Sequence, residues 1–110
     1  MVGKLFQVLF TRTSRQRLKE ITDYVVEGTK SKAVGQHVRR GILAEAKKLE
    51  KLPGSKPILP DTEDYHYQVH YTKAWNYKII FRVINPKNLV RILTIRHDKE
   101  LDEDVRQDLE

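Results

Sequence analysis

Tyr77-Lys78-Ile79-Ile80-Phe81-Arg82-Val83-Ile84-Asn85-Pro86-Lys87-Asn88-Leu89-Val90-Arg91-Ile92-Leu93-Thr94-Ile95-Arg96-His97 decides the fold. In its first half Tyr77, Ile79, Phe81 and Val83 fall on one side, and Lys78, Ile80, Arg82 and Ile84 on the other. A period of two is the mark of a strand. Asn85-Pro86-Lys87-Asn88 holds the residue types that close tight turns. Residues 89–97 then form a second, returning strand. Upstream, Tyr65, Tyr67, Val69 and Tyr71 alternate with His66, Gln68, His70 and Thr72. That pattern predicts a half-buried strand, with residues 73–76 as its turn. Three consecutive strands joined by short turns make an antiparallel meander.

The first half of the chain has a different period. Residues 4–10 read as a strand, with Phe6, Val8 and Phe10 on one face and Leu5 and Leu9 on the other. Thr13 then offers a helix cap, with Gln16 completing a capping box. Leu18, Ile21 and Val25 recur at helical spacing, and Gly28 offers a stop. A second helix is expected from near Ser31 to about Leu52, on the stripe Val34, Val38, Ile42, Ala46, Leu49 and Leu52. Gly35 and Gly41 inside it each cost up to ~1 kcal/mol against alanine, which suggests close packing. The few residues between the helices predict an antiparallel hairpin. Pro53-Gly54 ends the second helix, and 53–64 reads as a loop. The expected architecture is α+β, in the order β-α-α-β-β-β. The helix hairpin covers one face of a small, mainly antiparallel sheet, and the other face is left open to solvent.

The 110 residues are enough for one domain with one core, with 39% hydrophobic and 33% charged residues. There is no cysteine, which excludes disulfides and thiolate metal sites. No apolar stretch suggests a signal peptide or a membrane span, so a cytoplasmic protein without membrane contact is expected. The net charge of +6 is unevenly spread. Residues 98–110 hold seven acids and two bases, a net of −5; residues 1–97 keep 19 bases and 8 acids, a net of +11. We therefore divide the chain into a domain over 1–97 and an acidic tail over 98–110, which can add a short helix near 102–109. A basic body attracts nucleic acid or an acidic protein partner.

Several runs together resemble a known family. They are Leu18-Lys19-Glu20-Ile21-Thr22-Asp23-Tyr24-Val25, a long helix ending in Leu52-Pro53, Tyr77-Lys78-Ile79-Ile80-Phe81-Arg82-Val83, and Val90-Arg91-Ile92-Leu93-Thr94-Ile95-Arg96-His97. In order and spacing, over residues 5–97, they resemble toxins of the ParE/RelE superfamily, ParE-like more than RelE-like. The resemblance implies one half of a type II toxin–antitoxin pair, neutralised by a cognate antitoxin. ParE-like members imply inhibition of DNA gyrase by protein binding. RelE-like and YoeB-like members imply cleavage of mRNA on the ribosome.

Metal-free RNA cleavage needs an acid, a base and cations around the phosphorane. The candidate catalytic set, if the protein is a nuclease, is His97, Lys78, His70 and Arg82. The resemblance places a histidine of YoeB-like nucleases at His97, and a phosphate-gripping arginine of RelE-like nucleases at Lys78. It also places two lysines of those enzymes at Gln68 and His70, and neither lysine is present. Alternation puts His66, Gln68 and His70 on one strand face, and Arg82 with Lys78. On a regular last strand Arg91 shares the His97 face and Arg96 opposes it. Lys73, Trp75, Arg91 and Arg96 are candidates for binding nucleic acid or a partner, Trp75 as a stacking anchor or a lid over the core. Arg39, Arg40, Lys47, Lys48 and Lys51 form a solvated helix face or a contact for an acidic antitoxin segment. His66 and His70 lack a carboxylate at matching spacing, so no metal and no cofactor are expected.

Three functions compete on this reading: a gyrase-binding toxin, a ribosome-dependent mRNA endonuclease, and a non-toxic nucleic-acid-binding domain with salt-sensitive, sequence-tolerant affinity. The sequence leaves open whether the acidic tail is disordered or folds back; the net −5 beside a +11 body motivates the hypothesis that it masks the basic sheet.

Overall fold

The computed structural model describes residues 5–100 and 105–109. The element order is β1 (Gln7–Phe10), α1 (Arg12–Thr29), α2 (Lys32–Lys47), β2 (His70–Ala74), β3 (Tyr77–Ile84) and β4 (Leu89–His97). The sheet runs β1-β4-β3-β2, with β1 parallel to β4 and the other pairs antiparallel. The α+β order and the helix hairpin on a mainly antiparallel sheet are as the periodicity predicts. None of the helices among the described residues is long and apolar enough to cross a membrane.

Helix α1 starts two residues earlier than expected. Thr11, not Thr13, is the N-cap: its Oγ1 accepts from Ser14 N at 3.1 Å and donates to Leu93 O at 3.1 Å. Thr11 directly follows β1, so its hydroxyl reaches both the helix start and the sheet, which Thr13 does not. Gln16 donates instead to Glu20. At the other end Gly28 stays helical. The left-handed turn falls on Lys30 (φ 57°), and Ser31 caps α2 by accepting from Val34 N at 3.2 Å. The regular part of α2 ends at Lys47, not Leu52, and a 3-10 turn covers Lys48–Glu50. Leu52 precedes a proline, which disfavours right-handed helix there. It sits at φ 48°, 77% exposed.

The main core is built from Leu18, Ile42, Ala46, Leu49, Ile79, Phe81, Val90, Ile92 and Ile95, between the helices and one sheet face. The two glycines of α2 have separate uses. A Cβ on Gly35 would meet Val26 Cγ2 at 2.3 Å and Thr22 O at 3.3 Å, so α2 packs tightly on α1 there. A Cβ on Gly41 would meet the Trp75 ring at 2.0 Å. Trp75 occupies the two-residue turn between β2 and β3 at φ 54°, and its indole lies across α2 beside His37.

The expectation of an open second sheet face is wrong. Leu59, Val69, Ile80, Leu93, Val105 and Leu109 form a second buried cluster, with Tyr65, Tyr67 and Tyr71 packed against it. Ile80 and Leu93 are apolar residues on a face that then has to be covered. The loop from 53 to 69 and residues 105–109 cover it. Residues 105–109 make one tight turn, with Asp108 N donating to Val105 O and Leu109 N to Arg106 O. The rest of the expected tail helix, and the start of the expected first strand at Lys4, lie outside the described residues.

The strand expected over 65–72 starts only at His70. Residues 65–69 are irregular, and 57–59 run along the outer edge: Leu59 N donates to Val69 O and Tyr71 N to Pro57 O. No continuous strand carries His66, Gln68 and His70. The first two are exposed, and His70 is buried.

Gly41→Ala is expected to push the indole off α2. Trp75 is the single tryptophan, so its fluorescence maximum should move to the red. Stability should fall by about 1–3 kcal/mol from overpacking, despite alanine's better helix propensity. An unchanged emission maximum in an equally stable variant would contradict this placement.

Candidate binding face

One irregularity decides which side chains share a face. β3 pairs with β4 in regular register from Ile79↔Ile95 to Ile80↔Thr94, then steps to Phe81↔Ile92. Leu93 is the extra residue, a β-bulge. One added residue reverses the phase of everything beyond it. Thr94 and Arg96 therefore join Arg91 on the face away from the helices, and Ile95 and His97 turn toward the helices. The expectation that Arg91 shares the His97 face is overturned by this bulge. Arg96 does oppose His97, as expected.

The result is a cationic face across three strands. Lys73 pairs with Lys78, and Lys78 with Arg96; four residues along β3, Arg82 pairs with Arg91. Like charges directly opposite on neighbouring strands repel, so their partners matter. Lys73 Nζ lies 3.5 Å from Asp98. Lys78 Nζ sits 5.3 Å from the Tyr71 ring centroid, and the Arg82 guanidinium 4.1 Å from that of Tyr67. Arg96 bonds Glu100 at 2.6 Å and Asp108 at 2.7 Å.

Asp108 is the centre of the densest polar cluster on this face. Its carboxylate is 5% exposed. It accepts from Arg17 Nε (3.0 Å), Arg17 Nη2 (2.9 Å), Arg96 Nε (2.7 Å) and Thr94 Oγ1 (2.8 Å). β1 pairs only with Leu89–Ile92. Beyond that point the flank of β4 has no strand beside it, and there α1 and β4 share the carboxylate. Burial pushes the Asp108 carboxyl up, but the donors of Arg17, Arg96 and Thr94 together outweigh it and hold it below the usual carboxylate range. Arg17 is raised chiefly by its bond to Asp108, against the opposing effect of burial. Neither Asp108 nor Arg17 stands out in the sequence. The available signal is the pair Val105 and Leu109, apolar and four apart within the acidic tail.

The histidines lie elsewhere. His70 faces the helix side: it is buried, its ring stacks on Phe81 at 5.5 Å, and Nδ1 lies 2.8 Å from Lys56 O. A carbonyl only accepts, so Nδ1 carries the proton. His97 also turns to the helix side, edge-on to Tyr77 at 5.6 Å. It lines a cleft of about 380 Å³ with Tyr24, Ile21, Tyr77 and Ile95. Burial raises the Tyr77 hydroxyl above its ordinary value. The candidate set thus divides: Lys73, Lys78, Arg82, Arg91 and Arg96 share one face, while His70 and His97 are on the other. Trp75, 52% exposed, caps the β2–β3 turn over α2. Among the described residues no group of three or more histidine, aspartate or glutamate side chains is placed to hold a metal ion.

This fold is that of a small toxin class. The family model of the ParE toxin of the type II toxin–antitoxin system parDE matches residues 8–102. The chain belongs to that family, within the ParE/RelE superfamily of toxins. Among solved structures it is similar to the chromosomal ParDE system from P. aeruginosa, at 19% identity and TM-score 0.68, covering 86% of this chain and 98% of that one. It is also similar to the RelBE2 toxin–antitoxin complex from Mycobacterium tuberculosis, at 17% identity and TM-score 0.62, covering 90% and 98%. A third likeness is the archaeal RelE–RelB complex from Pyrococcus horikoshii OT3, at 16% identity and TM-score 0.60, covering 88% and 99%. No curated protein matches.

Asp108→Asn is expected to cost up to about 3–5 kcal/mol at pH 7, because it removes the buried countercharge that Arg17 and Arg96 share and leaves them only their more exposed pairs with Glu20 and Glu100. A carboxyl depressed in the folded state stabilises above its unfolded value near 3.9, and this is lost as pH falls through the folded value. In urea titrations the gap between parent and variant should therefore close below about pH 4. A gap constant from pH 7 to pH 3 would rule out the ionised Asp108 as its source.

Proposed function

We propose that this toxin works by binding, with DNA gyrase as its target and a cognate antitoxin as its natural inhibitor. The observation that carries the reading is the separation of acid–base and charge-stabilising groups. General acid–base catalysis needs the proton-transferring group within hydrogen-bond reach of the reacting atoms. His70 and His97 lie behind the sheet from Lys78 and Arg82, so the proposed nuclease set does not converge. The cationic face suits an acidic protein surface, where charge sets association rate and register. The ParE family match supports a ParE-like rather than a RelE-like target, and the similar ParDE and RelBE structures support an antitoxin partner. The site of action on this reading is the cytoplasm.

Purified toxin should inhibit gyrase supercoiling in a dose-dependent way, and its antitoxin should restore activity. Reversing charge on the face, with Lys78→Glu and Arg91→Glu together, should raise the half-inhibitory concentration at least about tenfold. Full supercoiling at every reachable concentration of folded toxin would refute the proposal.

A further inference from the structure

Of the two arginine sites on the sheet face, one is filled by the chain's own carboxylate. Arg17 and Arg96 hold Asp108. Arg82 and Arg91 face each other across β3 and β4. Among the described residues neither has a carboxylate within ion-pair distance. Two guanidinium groups at directly opposed positions repel one another unless an anion lies between them. The Nε of Arg82 is buried and has no hydrogen-bond partner there, an arrangement that costs free energy if left unmet. The Arg82 guanidinium is stacked on Tyr67 at 4.1 Å, so little side-chain freedom remains to be lost on binding.

We propose that Arg82 and Arg91 form a binding site for one phosphate group. They line a cleft of about 160 Å³ with Thr11, His66, Tyr67 and Leu109, a volume suited to a single oxyanion group and not to a large ligand. Asp108 is also in its wall, but its oxygens already accept from Arg17, Arg96 and Thr94. Guanidinium forks match phosphate oxygens in pairs. Two forks from neighbouring strands suit a tetrahedral phosphate over a planar carboxylate; a free or terminal phosphate presents three or more accepting oxygens and a backbone phosphate two, with its ester oxygens beside them. The phosphate can be a free or terminal one, as in a mononucleotide, or part of a polynucleotide backbone. The site stands whichever target the toxin has.

The Arg82 Nε–Hε resonance in ¹H–¹⁵N spectra of the full chain is the direct reporter. Inorganic phosphate should shift it saturably, and acetate at equal ionic strength should not. Arg91→Gln, on the exposed member of the pair, should weaken phosphate binding about tenfold, while Lys47→Gln on α2 should leave it unchanged. A 5′-mononucleotide and a single-stranded oligonucleotide distinguish the sources. Equal affinity for both marks a site for isolated phosphates. Much tighter oligonucleotide binding that falls steeply with salt marks the backbone. An unmoved resonance with all three phosphate ligands overturns the proposal. So does a response to acetate equal to that for phosphate, or an Arg91→Gln variant that binds as the parent does.

Discussion

The extra residue at Leu93 is the constraint on which the rest of this structure depends. Were β4 regular across that point, the side chains beyond it would exchange faces. Arg96 would turn toward the helices and His97 toward the cations. With the bulge, Ile95 completes the main core beside Ile79, and Thr94 and Arg96 meet the tail carboxylate. The same step separates His97 from the lysine and arginine rows, while the β2–β3 register places His70 beside Phe81 on the helix side. The packing of β4 and the grouping of its charged side chains are thus set by one register shift.

The second face follows from it. Leu93 and Ile80 supply the apolar floor on which Val105 and Leu109 rest, and Asp108 fixes the segment to α1 and β4. Hydrophobic burial gives that contact its strength, and the shared carboxylate gives it a position. A buried ion pair is weak evidence for net stability but a strong determinant of arrangement once the hydrogen bonds are complete, as they are here. Residues 105–109 therefore neutralise one end of the cationic face, and among the described residues Lys78, Arg82 and Arg91 have no carboxylate within ion-pair distance.

Much of this was legible in the sequence, and the losses have physical causes. The helices declared themselves through the period of Leu18, Ile21 and Val25 and of Ile42, Ala46 and Leu49. β3 and β4 did so through alternation and the Asn85–Asn88 turn. The cap was misplaced because Thr11 and Thr13 are chemically equal, and only the adjoining strand selects between them. The row of His66, Gln68 and His70 failed because alternating tyrosines also suit an irregular segment packed on a core. The bulge has no glycine to mark it, so strand periodicity alone put Arg91 with His97. The covered second face was missed for a related reason: Val105 and Leu109 are two apolar residues in an acidic tail whose charge dominates its reading. Of the candidate site, the grouping of Lys78 with Arg82 was readable, whereas the Asp108 cluster depends on contacts far apart in sequence.

On the proposed reading the cationic face binds and does not cleave RNA, because His70 and His97 are on the other side of the sheet. Toeprinting of translating ribosomes incubated with the purified, folded toxin tests it most directly. The account predicts no new mRNA 3′ ends at any toxin concentration that arrests growth. Cleavage that appears with the parent toxin and is lost in His97→Ala and in Lys78→Ala would contradict it.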